Sequence, residues 1–99
     1  MTRGWFIGSF EPTLKDTEEV EVALQEYKVG CDIEKHYHKV ATEYTIIIKG
    51  TAKVNDIEYG AGDYIVVEPY EVIDFVPITD VTNVVVKIPG AKNDKFLIE

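Results

Sequence analysis

Cysteine is all but missing from this chain. Cys31 is the only one, so no disulfide can form within it. That fits a reducing cytosol, and a cytoplasmic location is expected. Basic residues are also few, with 10 Lys and Arg against 18 Asp and Glu and a net charge of −8. Nucleic acid and anionic membrane both need clustered positive charge, so neither is expected as a partner. No apolar run is long enough to cross a bilayer as a helix. The first residues, MTRGWFIGSFEPTL, carry one Arg and reach Glu11-Pro12 before any long apolar stretch. No secretory leader is expected from them. Histidine is scarce too. There are two, and they stand one residue apart at His36 and His38.

What is present is alternation. Apolar residues recur with period two, in short runs rich in β-branched and aromatic types and bounded by Gly, Asp, Asn or Pro. That pattern predicts an all-β sandwich or barrel. Strands are expected over 4–10, 17–28, 33–38, 43–49, 52–54, 57–59, 64–67, 72–76 and 83–88. Asn55-Asp56 is expected as a two-residue hairpin turn. Tyr64–Val67 is wholly apolar and is expected to be buried on both faces. Hydrophobic residues make up 45% of the chain and charged ones 28%, enough for one globular core in one domain. Residues 1–19 form an N-terminal strand and arm, 20–89 the barrel, and 90–99 a polar tail. Phe96, Leu97 and Ile98 of the tail are expected to dock on the surface or on a second subunit. Trp5–Phe10, apolar and with little core to cover, motivates an expected homodimer.

The chemistry concentrates between Gly30 and Gly50. Residues i and i+2 of a strand share a face, so His36 and His38 aim into one space. If the chain turns at 40–42 and returns antiparallel, Glu43 faces the pair across the ladder. Two imidazoles and a carboxylate suit a borderline divalent metal. Tyr37, Lys39 and Tyr44 alternate with these residues and should point outward. Cys31 sits in a turn and reads as an inert thiol. Gly60-x-Gly62 precedes a strand and not a helix, so it does not read as a phosphate loop.

The spacing Gly30-x5-His36-x-His38-x4-Glu43-x6-Gly50 resembles the first motif of the cupin superfamily at each fixed position. The second motif is half present, in 62–75. Gly62, the apolar strand and Pro69 are there. Glu68 stands at the usual proline, Tyr70 at the usual glycine, and Ile73 at the family's last histidine. The resemblance covers about residues 20–89 and implies a cupin-type double-stranded β-helix, a jelly-roll barrel with an internal ligand cavity. It implies a site of His36, His38 and Glu43, with the fourth ligand lost at Ile73. Three ligands and open positions can still hold Zn²⁺, Fe²⁺, Mn²⁺ or Ni²⁺. Asp74 is a candidate replacement if a bulge turns it inward, and Glu68 if the loop does. Thr45 and Ile47 are expected at the cavity floor, Ile73 and Phe75 on the opposite wall, and Tyr70 with Glu71 at the mouth.

Three functions stay open. One is a metal-dependent cupin that binds or acts on a small polar or sugar-like molecule. The second is a metal-free isomerase or epimerase, like the cupin-type sugar-nucleotide ketoisomerases, with His36 and His38 as acid and base. The third is a non-catalytic ligand-sensing domain.

Overall fold

The computed structural model describes residues 4–91 and 93–98, all strand, turn and loop. Ten strands follow in order: β1 (Trp5–Ile7), β2 (Glu21–Tyr27), β3 (His36–Tyr37), β4 (Thr42–Lys49), β5 (Thr51–Val54), β6 (Ile57–Gly60), β7 (Tyr64–Val67), β8 (Phe75–Pro77), β9 (Val81–Ile88) and β10 (Phe96–Leu97). A five-stranded sheet runs β1-β2-β9-β4-β7, a three-stranded sheet β6-β5-β8, and β10 pairs with β3. The all-β barrel expected from period two is what forms, in the double-stranded β-helix arrangement that the motif resemblance implied. Among the described residues no helix is long and apolar enough to cross a membrane.

Alternation decides which side chains enter the core. The inward positions of β4, β5, β7 and β9 carry Ile47, Ala52, Val54, Ile65, Val67 and Val81, and Ile73 and Phe75 close the same cluster. Burying such side chains stabilises the fold by about 1.5–3 kcal/mol each. Strands at 4–10, 17–28, 33–38 and 72–76 are shorter than the sequence suggests, because turns and bridges take their ends. β9 instead starts two residues earlier, at Val81. The tail is not merely polar. Phe96 pairs with Tyr37 and Leu97 with His36, so 96–97 adds a strand beside the first histidine.

β7 corrects a second expectation. Ile65 and Val67 are buried, but Tyr64 is 72% exposed and Val66 51%. Periodicity cannot distinguish a doubly buried apolar strand from one whose outer face is apolar and open. Register shows that the outer face is shared. Val66, Tyr44, Val86 and Val22 form one row across four strands, and Tyr64, Ile46, Val84 and Leu24 form the next. Neither row holds a charge. The following row, Glu26, Thr82 and Lys49, is polar.

Turns follow local chemistry. Asn55 and Asp56 adopt φ of 49° and 68°, as their two-residue hairpin requires. Asn55 also ties the hairpin to the next loop, donating to the Val72 carbonyl and accepting from the Asp74 N–H. Gly50 joins β4 to β5 at φ +91°, and a Cβ there would lie 2.1 Å from the Asp80 carbonyl oxygen. Gly30 also has positive φ, but no atom lies within 4 Å of its would-be Cβ. Gly50→Ala should therefore cost about 2 kcal/mol or more in urea unfolding. Gly30→Asn, with open space and a residue that tolerates this φ, should cost under about 1 kcal/mol. Equal costs at the two positions would contradict this account.

Candidate metal centre

The site is built by a tight loop and the residue that fills it. After β3 the chain turns at 39–41 and returns as β4. A turn this short leaves backbone N–H groups unpaired by the sheet. Asp94, 6% exposed, supplies the acceptors. Its Oδ1 accepts from the Lys39 N–H at 2.9 Å and its Oδ2 from the Ala41 N–H at 2.9 Å. The Val40 N–H reaches both oxygens at 3.1 Å. Burial pushes the Asp94 carboxyl up, but these three donors and nearby His38 hold it below its ordinary value of 3.8.

The same residue orients the buried histidine. His38 is 2% exposed, and its Nδ1 lies 2.6 Å from the Asp94 backbone carbonyl. A carbonyl only accepts, so Nδ1 carries the proton and Nε2 presents its lone pair. His36 repeats the arrangement, with Nδ1 3.0 Å from the Glu34 carbonyl. Glu43 enters from β4, and its Oε2 lies 3.0 Å from His38 Nε2. One ligand-capable atom from each of His36, His38 and Glu43 falls within 4.8 Å of the others. The two rings meet edge to face, with centroids 5.3 Å apart. The convergence expected from the motif spacing is present.

No family model and no curated protein matches the sequence. Solved structures do match. A Klebsiella pneumoniae protein described as uncharacterized, with a double-stranded β-helix domain, is 25% identical. It superposes with a TM-score of 0.73 over 84% of this chain and 73% of its own. An RmlC-like cupin from Ralstonia eutropha is 14% identical, with a TM-score of 0.65 over 84% and 58%. Oxalate decarboxylase from Bacillus subtilis is 20% identical, with a TM-score of 0.72 over 82% of this chain and 24% of that enzyme. This chain has the double-stranded β-helix fold of these structures.

In this chain the triad suits a metal on local grounds. His38 Nε2 and Glu43 Oε2 are both acceptors once Nδ1 holds the imidazole proton, yet they face each other at 3.0 Å. Either a second proton or a cation must lie between them. Neighbouring ligand atoms at 90° around an ion bound at about 2.1 Å sit about 3.0 Å apart. Ligating histidines commonly give their other nitrogen to a carbonyl, as both do here.

The remaining candidates divide. Thr45, Ile73 and Phe75 line a small inner cavity of about 40 Å³ beside His36 and Glu43. His36 and Ile73 exchange backbone hydrogen bonds, so Ile73 places an apolar side chain beside His36. Ile47 is fully buried in the core and lines neither cavity. Tyr70 is 67% exposed and stacks on Tyr37, which stacks in turn on Phe96. Asp74 faces Lys35, with its Oδ2 3.9 Å from Nζ. Glu68 accepts from the Thr42 hydroxyl at 3.4 Å. Neither acid joins the triad, because no bulge turns Asp74 inward and the Glu68 loop opens to solvent. Cys31 is exposed.

Several site residues escaped sequence reasoning. A larger cavity of about 990 Å³ opens beside the triad and includes Trp5, Phe10, Glu21 and Lys87 in its wall. Lys87 neighbours both Glu43 and Glu21 in register. Its Nζ lies 4.8 Å from the Trp5 ring centroid. Among the described residues it makes no ion pair within 4.0 Å. Parity in β9 was the available signal, since Lys87 shares a face with Val81, Asn83 and Val85. Asn83 is 2% exposed, and its Oδ1 has no protein partner. The small cavity beside it has room for about one water, the partner such a group takes.

The electrostatics favour an ionised Glu43. Burial pushes the Glu43 carboxyl up, but with a proton in place of an ion on His38 Nε2, the hydrogen bond from His38 and the charges of His38, Lys87 and His36 outweigh it and leave it lowered. Burial lowers His36, against the pull of the Glu34 carbonyl. That favours the neutral, ligating imidazole. Burial also lowers Lys87, opposed by Glu43 and Glu21. Tyr27, buried and near Glu43, is raised to about 12 and stays a phenol.

Asp94→Ala should cost about 3 kcal/mol at pH 7, since it removes a charged acceptor from three backbone donors. Asp94→Asn should cost less, because one oxygen remains. A lowered folded pKa means this stability is fully present well above 3.8 and is lost as pH falls through the folded value. The gap between wild type and Asp94→Ala, read from chemical denaturation, should therefore shrink below about pH 4. A gap unchanged down to pH 2.5 would refute the assignment.

Proposed function

We propose that this cupin binds a small polar molecule at a divalent metal held by His36, His38 and Glu43. The carrying observation is the 3.0 Å approach of two acceptors, His38 Nε2 and Glu43 Oε2. Zn²⁺, Fe²⁺, Mn²⁺ and Ni²⁺ all accept such a donor set, with open positions for water or ligand. When bound, the ion would polarise a ligand oxygen or activate O₂. The chain's own residues do the rest. The Asp94 and Glu34 carbonyls fix the imidazole tautomers. Ile73 and Phe75 give one side an apolar wall, which strengthens each charge interaction beside it. Lys87, over Trp5 on the cavity wall, is placed to receive an anionic or hydroxyl oxygen of the ligand.

A second reading draws on the same contact. A proton can replace the metal between His38 and Glu43, leaving His36 and His38 as an acid and base pair. That suits a metal-free isomerase or epimerase. A ligand-sensing domain without turnover would use the same cavity.

Trp5, the single tryptophan, provides the readout. Elemental analysis of protein purified without added metal should find about one divalent ion per chain under the metal reading. Titrating Ni²⁺ into chelator-treated protein should quench Trp5 fluorescence saturably. His36→Ala and Glu43→Gln should each weaken that quenching at least tenfold while keeping the circular dichroism of the wild type. A metal-free protein that shows no saturable response sinks the metal reading and leaves the acid and base pair. Lys87→Met should keep the metal and lose affinity for small anions that perturb the metal-dependent signal.

A further inference from the structure

His38 stands between two acceptors, and a neutral imidazole has one N–H to give. Its Nδ1 lies 2.6 Å from the Asp94 carbonyl and its Nε2 lies 3.0 Å from Glu43 Oε2. A carbonyl and an ionised carboxylate both only accept. The ring therefore satisfies one neighbour and turns a lone pair on the other. His38 is buried, so bulk water does not relieve that mismatch. A cation shared by Nε2 and Glu43 removes it, because the ring proton then stays on Nδ1. The cation also polarises that N–H, and charge-assisted hydrogen bonds are roughly twice as strong as neutral ones.

Asp94 carries the effect away from the site. Its carboxylate holds the N–H groups of Lys39, Val40 and Ala41. Its carbonyl belongs to the peptide that leads into Lys95 and β10. That strand, Phe96–Leu97, pairs with β3 alone. Just beyond it the Ile98 N–H donates to the Lys35 carbonyl at 3.2 Å. Leu97 is 49% exposed and Ile98 46%. A strand so short and so open lies at the low end of local stability. A repelled carbonyl at its root is enough to shift its docking.

We infer, on the metal reading above, that residues 95–98 form a strap whose docking reports whether the triad is occupied, with the His38 ring proton as the link. With the triad filled, Nδ1–H holds the Asp94 carbonyl and the strap lies along β3 with Phe96 stacked on Tyr37. Without the ion the proton divides between the two nitrogens. Where it sits on Nε2, toward Glu43, two acceptors meet at Nδ1 and the peptide between Asp94 and Lys95 turns away. The carboxylate contacts to 39–41 do not use that peptide, so the turn persists while the strap loosens. The coupling is reciprocal. The docked strap strengthens metal binding by the factor by which metal strengthens docking.

Amide exchange of the full chain by NMR, with Zn²⁺ as a diamagnetic probe, reads both parts at once. The Ile98 amide should exchange at least tenfold faster in chelator-treated protein than with Zn²⁺ bound. The Lys39 and Ala41 amides should change less than about twofold. Imidazole ¹⁵N shifts at neutral pH should place the His38 proton on Nδ1 alone with Zn²⁺, and divided between the nitrogens without it. Glu43→Gln can offer an amide N–H to His38 Nε2, so the metal-free variant should protect Ile98 as well as Zn²⁺-bound wild type does. Should that variant fold poorly, Glu43→Ala removes the competing acceptor and should act the same way. Native mass spectrometry follows Zn²⁺ uptake separately. A chain that takes up no Zn²⁺ sinks the metal reading and the strap's role as its reporter together. A chain that binds Zn²⁺ with no change at Ile98 overturns the inference and leaves the metal reading standing. Equal Ile98 exchange in metal-free wild type and the Glu43 variants overturns it too, as does a His38 that carries both protons without metal.

Discussion

One carboxylate holds the centre together. Asp94 fills the turn between β3 and β4, accepts from three successive backbone N–H groups and fixes His38 through its own carbonyl. Without those contacts the turn would need water in a place where Ala41 is 1% exposed. The position of His38 relative to Glu43 depends on that turn, since the two residues flank it. The β10–β3 pairing delivers Asp94 to the spot, with Phe96 seated on Tyr37 and Lys39 over the Phe96 ring at 4.2 Å. A chain segment far along the sequence therefore sets the tautomer of the central histidine. That is a long-range constraint, and a local one would not serve. A turn residue bonded to its own neighbours could satisfy the N–H groups, but it could not also reach His38 Nδ1.

This explains which parts of the molecule were legible in the sequence. Parity placed His36, His38 and Glu43 on one face, because period two is a property of the backbone and needs no partner. Asn55-Asp56 declared its turn for a similar reason, through side chains that tolerate positive φ. Asp94 declared nothing, since an acid in a polar tail looks the same whether it is solvated or buried. Lys87 was hidden by the opposite effect. In a run of valines a lysine reads as a strand end, and only the register of β9 against β4 and β2 shows it facing Glu43 and Glu21. Ile47 shared Glu43's face as expected, but parity says nothing of depth along the barrel. It lies deep enough in the core to miss the cavity. Tyr70 stood where a motif glycine usually does, at φ +70°, and that left-handed turn swings its ring out onto Tyr37.

Ile73, at the position of the resembling motif's last histidine, gives the site an apolar wall. Ile73 is pinned to His36 by two backbone hydrogen bonds, so its side chain stays beside the triad. An apolar side chain beside Glu43 raises the cost of leaving its charge unpaired. The protein offsets that cost with Lys87 and, when they carry a second proton, with His38 and His36, which hold the carboxyl down against burial. With a divalent ion on Glu43, the same Lys87 becomes an excess positive charge on the cavity wall, and it makes an anionic ligand group easier to accept.

The five-stranded sheet serves both sides of the molecule with one alternation. Inward positions of β4 and β9 give Glu43, Thr45, Asn83 and Lys87 to the cavities and Ile47 and Val81 to the core. Outward positions of the same strands give the uncharged rows. A one-residue slip in β4 would exchange Glu43 with Tyr44 and empty the site while charging the outer face. Both surfaces thus constrain one register. The pairing Glu43↔Lys87 and Tyr44↔Val86 satisfies them together, and the register shifts only between Ile47 and Lys49, beyond the last site residue.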